Sequence, residues 1–384
     1  PNLSGSGRTA RLTCRDASQV AHYGYSSTNG TSFCRVNSNW FKEIYVQHDS
    51  KVLVTGASGH VGFNLVKMLM DAGYSNLRAS VRDAQDPAKT KKLYKLGVHD
   101  IVSLDIRDAD AFEAACSGVD VLFHVAATYR YYTGSADADD SMVQDSVQGV
   151  RSAMLAAAKN GVGHVVQTSS MVTLPYATTD GKLPDETDWR SDLSVPYMRS
   201  KVEAEKLAWT MAEEHKLKLA TILPGPILGP NFGKGTQSTD YIEGIMKGCM
   251  RMGTIDTTFG VTDVRDVAQA HILAAEQGAT GRFVVGTQDH ITFPDIIRTM
   301  REIDPKVPKA LMVLPKATYW MLPITDWLNN KMLGAPRLVT RTFVNSIGTD
   351  QIAGDSSKIR RELGWSEKYS LKECLRDTMA ELRA

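Results

Sequence analysis

The chain has 384 residues, of which 42% are hydrophobic and 23% are charged, and 44 basic residues stand against 43 acidic ones. This composition is typical of a globular protein and excludes a collagen, a coiled coil or wholesale disorder. The net charge of +1 does not indicate a nucleic-acid surface. No apolar run is long enough to cross a bilayer, and five cysteines without a CxxC spacing argue against a disulfide scaffold or a zinc site. We therefore expect no nucleic-acid partner, no membrane span and no metal.

Residues 1–48 differ in composition from the rest of the chain. They are rich in Ser, Thr, Asn and Gly and show no sustained helical or strand period, which predicts a disordered N-terminal extension. Arginine outnumbers acid in this segment, as it does in organelle transit peptides. We favour an extension without function, or an artefact of the gene model, over an import signal, and we expect the protein in the cytoplasm.

From Lys51 onward, short apolar strands alternate with helices. The first strand, at Val52–Val54, is followed by a glycine-rich turn and an amphipathic helix that ends near Gly73. The pattern predicts further strands at 77–81, 101–104, 119–125, 165–168 and 219–223, and helices at 109–116, 140–160 and 197–215. Apolar strands joined by helices predict a parallel sheet covered on both faces, and right-handed crossovers make it an α/β, doubly wound Rossmann sheet.

After Pro230 the pattern loosens into shorter helices, which predicts a smaller mixed α/β region. We divide the chain into a nucleotide-binding core at 49–230, to which segments near 257–290 return, and a mainly helical substrate-binding region at 231–384. Trp320 and Trp327 lie beside an apolar run. We expect them in the core of this region rather than on a surface for a partner or a membrane.

The turn after the first strand reads Thr55-Gly56-Ala57-Ser58-Gly59-His60-Val61-Gly62. The first glycine permits the tight turn, the second lets the backbone approach a pyrophosphate, and the third lets the helix pack against the strand. The amides at the start of the helix then face the phosphates. Glycine spacing alone is weak evidence, but the order strand, turn, helix indicates a dinucleotide site.

The end of the second strand indicates which dinucleotide binds. An NAD enzyme places Asp or Glu there on the ribose hydroxyls, whereas this chain has Arg82, with Lys89 close behind. A guanidinium can fork onto a 2′-phosphate, so we favour NADP(H) over NAD(H), although the adjacent Asp83 counts against it. Asp105, after the third strand, is suited either to accept a hydrogen bond from adenine or to begin a helix.

Tyr197 and Lys201 are four residues apart, which places them on one face of a helix. A nearby ammonium group and an oxidised nicotinamide would both lower the pKa of a phenol. Tyr197 could then exchange a proton with a carbonyl or alcohol oxygen as a general acid or base. The fifth strand ends in Thr168-Ser169-Ser170, and a hydroxyl at that position could hydrogen-bond the same oxygen.

These motifs occur in the order found in extended short-chain dehydrogenases/reductases. The series comprises Thr-Gly-x-x-Gly-x-x-Gly at 55–62, Phe-His-Val-Ala-Ala at 123–127, Thr-Ser-Ser at 168–170, Tyr-x-x-x-Lys at 197–201, Pro-Gly-Pro at 224–226 and Asp-Val-Arg-Asp-Val at 263–267. From Lys51 to the C-terminus the chain more narrowly resembles the dihydroflavonol reductase-like branch, with cinnamoyl-CoA reductases and bacterial ketone or aldehyde reductases.

The resemblance implies roles for individual residues. It implies that Ser170, Tyr197 and Lys201 are catalytic, with Tyr197 as the general acid/base. It implies that Arg82 and Lys89 bind the 2′-phosphate. The other cofactor contacts that it implies are Thr55, Gly56, Ser58, Gly59, His60, Val61, Gly62, Asp105, Ile106, Val125, Ala126, Ala127, Thr168, Pro224, Gly225 and Ile227, together with Tyr197 and Lys201 themselves.

The sequence departs from the family pattern at two positions. Ser146 stands where Asn is usual, which puts in doubt the proton relay beside the catalytic lysine. Met171 stands where Ala or Ser is usual, and we expect it to narrow the pocket beside the catalytic serine. With Met171, we expect Tyr129, Tyr131 and Phe232 to contact the substrate, since aromatic side chains suit a flat or apolar molecule.

The leading hypothesis is an NADPH-dependent reduction of a ketone or aldehyde, aromatic or bulky and apolar, to the alcohol. One alternative is a sugar-nucleotide epimerase/dehydratase or a 3β-hydroxysteroid dehydrogenase-like enzyme, because the same three catalytic residues serve them. Another is a non-catalytic NADP-sensing protein. We expect a small-molecule carbonyl substrate and a monomer or homodimer.

Overall fold

The computed structural model describes residues 46–384 except 128–135, 177, 234, 288–290, 335–336, 338, 340–343 and 345–350. The prediction of disorder for residues 1–48 therefore falls almost wholly outside the described part of the chain. The predicted substrate contacts Tyr129 and Tyr131 also lie outside it.

A parallel sheet of seven strands forms the centre of the described structure. Its strands lie in the order β10-β6-β5-β4-β1-β2-β3, and every neighbouring pair is parallel. The strands in chain order are β1 Val52–Val54, β2 Leu77–Val81, β3 Asp100–Ser103, β4 Val121–His124, β5 His164–Thr168, β6 Leu219–Pro224, β7 Ile227–Leu228, β8 Thr258–Phe259, β9 Thr262–Asp263, β10 Gly281–Val285, β11 Ile291–Thr292 and β12 Gln351–Ile352. The strand order reverses between β1 and β4, which confirms the predicted Rossmann sheet.

Helices connect the strands and cover both faces of the sheet. They are α1 His60–Asp71, α2 Pro87–Lys95, α3 Ala109–Ala115, α4 Ala136–Lys159, α5 Pro196–His215, α6 Gln237–Met246, α7 Val264–Glu276, α8 Phe293–Ile303, α9 Leu322–Leu333, α10 Ser357–Leu363 and α11 Leu371–Leu382, with short 3-10 turns at Met171–Thr173 and Lys316–Met321. The predicted strands and helices are all present, with ends that differ by up to four residues.

Two apolar layers form the core of the sheet because successive side chains of a strand point to opposite faces. Val52 and Val54 pack with α1 and α7 on one face, and Leu53 packs with α4 and α5 on the other. Both faces of β1 are therefore dry, as its uninterrupted apolar sequence requires.

The smaller region surrounds a third apolar cluster beside the sheet. It unites Ile242 of α6, Ile296 of α8 and Leu375 of α11 with Phe259 of β8. Strand β8 pairs antiparallel with β11 and parallel with β12, and β7 pairs with β9. This region is thus mixed α/β.

Two large side chains of this region are not in its core. Trp320 is 67% exposed and Trp327 is 47% exposed, so the expectation of burial was wrong. The reason is local: the face of α9 that meets the protein carries Asp326 and Asn329, which bond to Arg337 and to the Cys249 carbonyl.

Among the described helices, none combines the length and hydropathy needed to cross a bilayer.

Candidate active site

A cleft of about 910 Å³ lies at the carboxyl ends of the parallel strands. One part is lined by the glycine turn and by the residues that follow β2, β3 and β4. The other part is lined by the ends of β5 and β6, the start of α5, and residues of α6, β8 and α8. This is the place where open α/β sheets bind ligands, because the strand order reverses there.

The glycine turn forms a cradle that stays open because glycines have no side chains to fill it. Gly56 adopts a φ of +67°, in the left-handed region that favours glycine. A Cβ atom on Gly62 would lie 2.2 Å from the Gly56 carbonyl oxygen, so α1 can approach the turn only with glycine there. Gly59 begins α1 without a side-chain cap, which leaves the first amides of the helix for an anion. The turn fits the pyrophosphate of a dinucleotide, and Ser58, His60 and Val61 line the cleft beside it.

Thr55 has a different place from the one the resemblance implies. Its side chain is fully buried, and its hydroxyl accepts hydrogen bonds from the amides of Val125 and Ala126, each at 3.0 Å. It also contacts His124 Nδ1 at 3.2 Å. Thr55 does not line the cleft; it holds in place the chain from Val125 to Ala127, which does.

The predicted adenosine end of the cleft contains both basic and acidic side chains. Arg82 and Lys89 line it, together with Asp105 and Ile106. Sequence reasoning missed Arg107, whose guanidinium binds the Asp105 carboxylate at 2.6 Å and lies 3.5 Å from Asp145. The side-chain hydrogen bond from Arg107, followed by its backbone hydrogen bond, lowers the pKa of Asp105 to about 2. Arg82 and Lys89 are the cations at this end that fit a phosphate group, because Arg107 is already bound to two carboxylates. The position of Arg107 two residues beyond Asp105 was a signal that could have revealed this ion pair.

The three predicted catalytic residues meet at one place in the cleft. Ser170 follows β5, and its hydroxyl hydrogen-bonds the phenol of Tyr197 in the first turn of α5. Burial raises the pKa of Tyr197 to about 12, while the bond from Ser170 opposes the shift. Burial lowers the pKa of Lys201 to about 8, and the carboxylate of Glu205 acts in the opposite direction. At neutral pH the site therefore presents a protonated phenol beside an ammonium group.

A buried ion pair that sequence reasoning missed supports this site from behind. Glu205 is fully buried and accepts hydrogen bonds from Ser169 Oγ at 2.5 Å, Thr221 Oγ1 at 2.8 Å and Arg282 Nε at 2.9 Å. Arg282 also donates to Thr173 Oγ1 at 2.9 Å. The network joins α5 to β6, to β10 and to Ser169, which directly follows β5 and precedes Ser170. The available signal was an acidic residue four positions after the lysine of the helix motif.

The last predicted cofactor contacts, at the ends of β5 and β6, also line the cleft. Thr168 bonds to His271 Nε2 at 2.7 Å. Pro224, Gly225 and Ile227 form the adjoining wall. A Cβ atom on Gly225 would lie 1.9 Å from the carbonyl oxygen of Gly260, so this turn depends on glycine to stay close to its neighbour.

The two departures from the family pattern have separate structural settings. The Ser146 hydroxyl donates to the Met142 carbonyl oxygen at 2.9 Å, inside its own helix. Met171 borders the cleft but is only 3% exposed and packs with Leu174, Leu223 and Val284. Most of its side chain therefore lies beneath the pocket rather than across it.

Phe232 does not line the cleft, contrary to its predicted role. It is buried and packs edge-on against His60, with ring centroids 5.7 Å apart. An apolar wall that sequence reasoning missed lines the part of the cleft bordered by α5, α6, β8 and α8 instead. Its described members are Met142, Tyr176, Met198, Tyr241, Ile242, Phe259, Phe293 and Ile296. Among the described residues, no group of three or more His, Cys, Asp or Glu side chains could hold a metal.

Comparison with known proteins gives the class of this chain. Residues 52–286 match the model of the NAD dependent epimerase/dehydratase family, and the chain belongs to that family. Within it, the chain is an extended short-chain dehydrogenase/reductase of the dihydroflavonol reductase-like branch, and therefore an NAD(P)-dependent oxidoreductase.

Curated relatives and solved structures support this placement. The chain is 32% identical over 254 residues to an anthocyanidin reductase ((2S)-flavan-3-ol-forming) of Vitis vinifera, and the aligned region covers 60% of this chain and 74% of the relative. It is 30% identical over 271 residues to cinnamoyl-CoA reductase CAD2 of Medicago truncatula, covering 67% and 81%. The crystal structure of gox2253 superposes with a TM-score of 0.72 and 27% identity, covering 87% of this chain and 98% of that one.

Proposed function

We propose that this protein reduces a ketone or aldehyde, aromatic or bulky and apolar, to the alcohol, with NADPH as the preferred reductant. The observation that carries the proposal is the meeting of Ser170, Tyr197 and Lys201 between a dinucleotide cradle and an apolar wall. In this proposal residues 49–230 hold the cofactor and residues 231–384 supply most of the far wall. The reductases among its relatives support the same reaction class.

The catalytic residues act on the carbonyl oxygen. Tyr197 is protonated at neutral pH because burial raises its pKa, so it can donate a proton to that oxygen as the alcohol forms. Ser170 orients the same oxygen by a hydrogen bond, and the Lys201 ammonium stabilises the charge left on the phenol. When bound, NADPH supplies the hydride that the carbonyl carbon accepts.

The substrate class follows from the wall of the cleft. Phe293 packs against Phe259 and Tyr241, with ring centroids 4.8 and 5.7 Å apart. Such a surface binds flat apolar molecules and offers few partners to a sugar diphosphate. Met171 and Val172 follow the catalytic serine, where a dehydratase would need an acid.

The reaction is tested by measuring the oxidation of NADPH and of NADH with a panel of aromatic ketones and aldehydes, nucleotide sugars and hydroxysteroids. We expect turnover of aromatic carbonyls with NADPH. Turnover of a nucleotide sugar or a hydroxysteroid, without turnover of aromatic carbonyls, would instead support one of the alternative enzyme activities. Tight NADPH binding without turnover of any carbonyl would instead support a cofactor sensor.

The preference for NADPH rests on Arg82 and Lys89, which line the cleft after β2. Replacing Arg82 with Ala should raise the Kd of NADPH about tenfold or more, since a charged hydrogen bond contributes about 1.5–3 kcal/mol. The Kd of NADH should stay the same, because NADH has no 2′-phosphate. The exposed Arg361, replaced in the same way, serves as the control. An unchanged Kd for NADPH in Arg82→Ala would refute the assignment.

A further inference from the structure

Helix α9 turns its apolar face away from the protein. Ile324, Trp327, Leu328 and Met332 are all exposed, and their spacing of three and four residues places them on one side of the helix. Trp320, in the 3-10 turn that leads into the helix, is also exposed. We call these five residues the α9 outer face. Its arrangement is the reverse of a surface helix of a globular protein, in which the apolar side faces inward.

Polar contacts fix this orientation. Asp326 is buried on the inner side and forms an ion pair with Arg337 at 2.5 Å. Asn329 donates to the Cys249 carbonyl oxygen at 3.1 Å, and Lys247 donates to the Gly334 carbonyl oxygen just beyond the helix at 3.3 Å. These bonds attach the helix through its polar side, and at its start Leu322 packs against the apolar cluster of the smaller region. The apolar face is therefore presented to the surroundings as a property of the fold rather than by chance.

The exposed charges carried by α9 and its leading turn have a single sign. Over residues 316–333 the exposed charged residues are Lys316 and Lys331. The one acid of this stretch, Asp326, is buried and paired. An apolar surface that contains tryptophan and is bordered by lysines is complementary to an anionic lipid surface.

We propose that the α9 outer face docks this enzyme onto the surface of a membrane that contains anionic lipids. Trp320 and Trp327 enter the boundary between headgroups and acyl chains, and Lys316 and Lys331 contact the anionic headgroups. A second copy of this chain is a poorer occupant. A twofold contact centred on this face would bring Lys316 and Lys331 of both copies together without an opposing exposed acid from residues 316–333.

The proposal is tested by flotation of the full chain with vesicles of phosphatidylcholine alone and of phosphatidylcholine with phosphatidylserine. We expect binding that depends on phosphatidylserine. Trp320→Ser and Trp327→Ser should each lower the partition coefficient about tenfold or more, the effect of exposing one large apolar side chain. Lys316→Gln and Lys331→Gln should each lower it about fivefold, the share of one basic residue near an anionic leaflet.

Matched substitutions elsewhere on the surface provide the controls. Tyr94→Ser and Lys159→Gln replace exposed residues of the same kinds on α2 and α4, and they should bind vesicles as the unchanged protein does. All variants should retain the far-UV circular dichroism spectrum of the unchanged protein. Quenching of tryptophan fluorescence by brominated lipid tests the same contact without any substitution, and we expect it with the vesicles that contain phosphatidylserine.

Three results would overturn the proposal. The first is the absence of phosphatidylserine-dependent binding and of quenching in the unchanged protein. The second is binding that none of the four substitutions on α9 and its leading turn weakens, since another surface would then be responsible. The third is a dimer, seen by sedimentation velocity, that Trp320→Ser converts to a monomer, since a second copy would then occupy the face.

Discussion

Removal of the Tyr197 hydroxyl should separate turnover from cofactor binding. Tyr197→Phe deletes one oxygen atom and leaves the ring among Met142, Val195 and Met198, with which it packs. The surrounding wall should keep its shape because no cavity larger than a hydroxyl is created. The deleted atom is the proton donor of the proposed reaction.

The structure sets different magnitudes for the two effects. The Tyr197 hydroxyl forms a hydrogen bond with Ser170. Loss of this bond should lower the free energy of unfolding by about 0.5–1.5 kcal/mol. The loss of a positioned general acid lowers kcat by about 10²–10⁴-fold, which corresponds to about 3–5 kcal/mol of the activation barrier. Turnover should therefore fall by far more than the stability change could explain.

The assay combines initial rates of NADPH oxidation, a fluorescence titration of NADPH and a urea unfolding curve. Tyr74→Phe is the matched control, because Tyr74 is a buried phenol that donates to Glu276 at 3.1 Å and does not line the cleft. It should lose comparable stability and keep its kcat. If Tyr197→Phe retains turnover within a few fold of the unchanged enzyme, the proposed proton transfer is wrong.

Three further substitutions test other parts of the structure. Gly62→Ala places a methyl group 2.2 Å from a carbonyl oxygen of the glycine turn, so the turn must shift. Loss of one amide hydrogen bond to a phosphate should then weaken NADPH binding about tenfold or more, and an unchanged Kd in a titration would contradict the cradle. Arg282→Met leaves the Glu205 carboxylate buried without its cation, which should cost about 3–5 kcal/mol in urea unfolding; a loss below about 1 kcal/mol would show that the pair adds little. His164→Phe tests whether this histidine makes the fold less stable in acid. Burial lowers the pKa of His164 to about 4 in the folded protein, so below about pH 6.5 the unfolded chain binds more protons than the folded one. The free energy of unfolding therefore decreases as the pH falls from about 6.5. Between pH 8 and pH 5 the variant should lose about 2 kcal/mol less than the unchanged protein, and equal losses would rule out this histidine as a cause.

Local sequence patterns predicted most of the fold. The apolar strands, the helices between them and the glycine turn are each encoded in one contiguous segment, the longest being the 24 residues of α4, and their order determines the sheet. The meeting of Ser170 with Tyr197 was also predictable, because it needs only the end of one strand and the start of the next long helix. These parts of the site depend on where each motif ends a strand or begins a helix.

The missed parts depend on residues that are far apart in the chain. The bond between Glu205 and Arg282 spans 77 positions and requires β10 to lie beside β6 in a particular register. The aromatic wall joins α6, β8 and α8, whose approach is decided by packing in the smaller region. The prediction that Trp320 and Trp327 are buried was wrong because hydropathy indicates only which residues avoid water. It does not show which side of a helix is held against the protein by polar bonds.

The setting of Met171 links an unusual residue to three glycines. Cβ atoms added at Gly225, Gly260 and Gly286 would lie 3.5, 3.4 and 2.8 Å from its terminal methyl group. The Met171 side chain fills the space that is left because these three residues have no side chains. The packing of the four residues therefore depends on their combined volume. A laboratory that wishes to enlarge the pocket by shortening Met171 would open a void under the turn at Gly225. Substitutions at these four positions should therefore be selected together, as a combinatorial library, rather than one at a time.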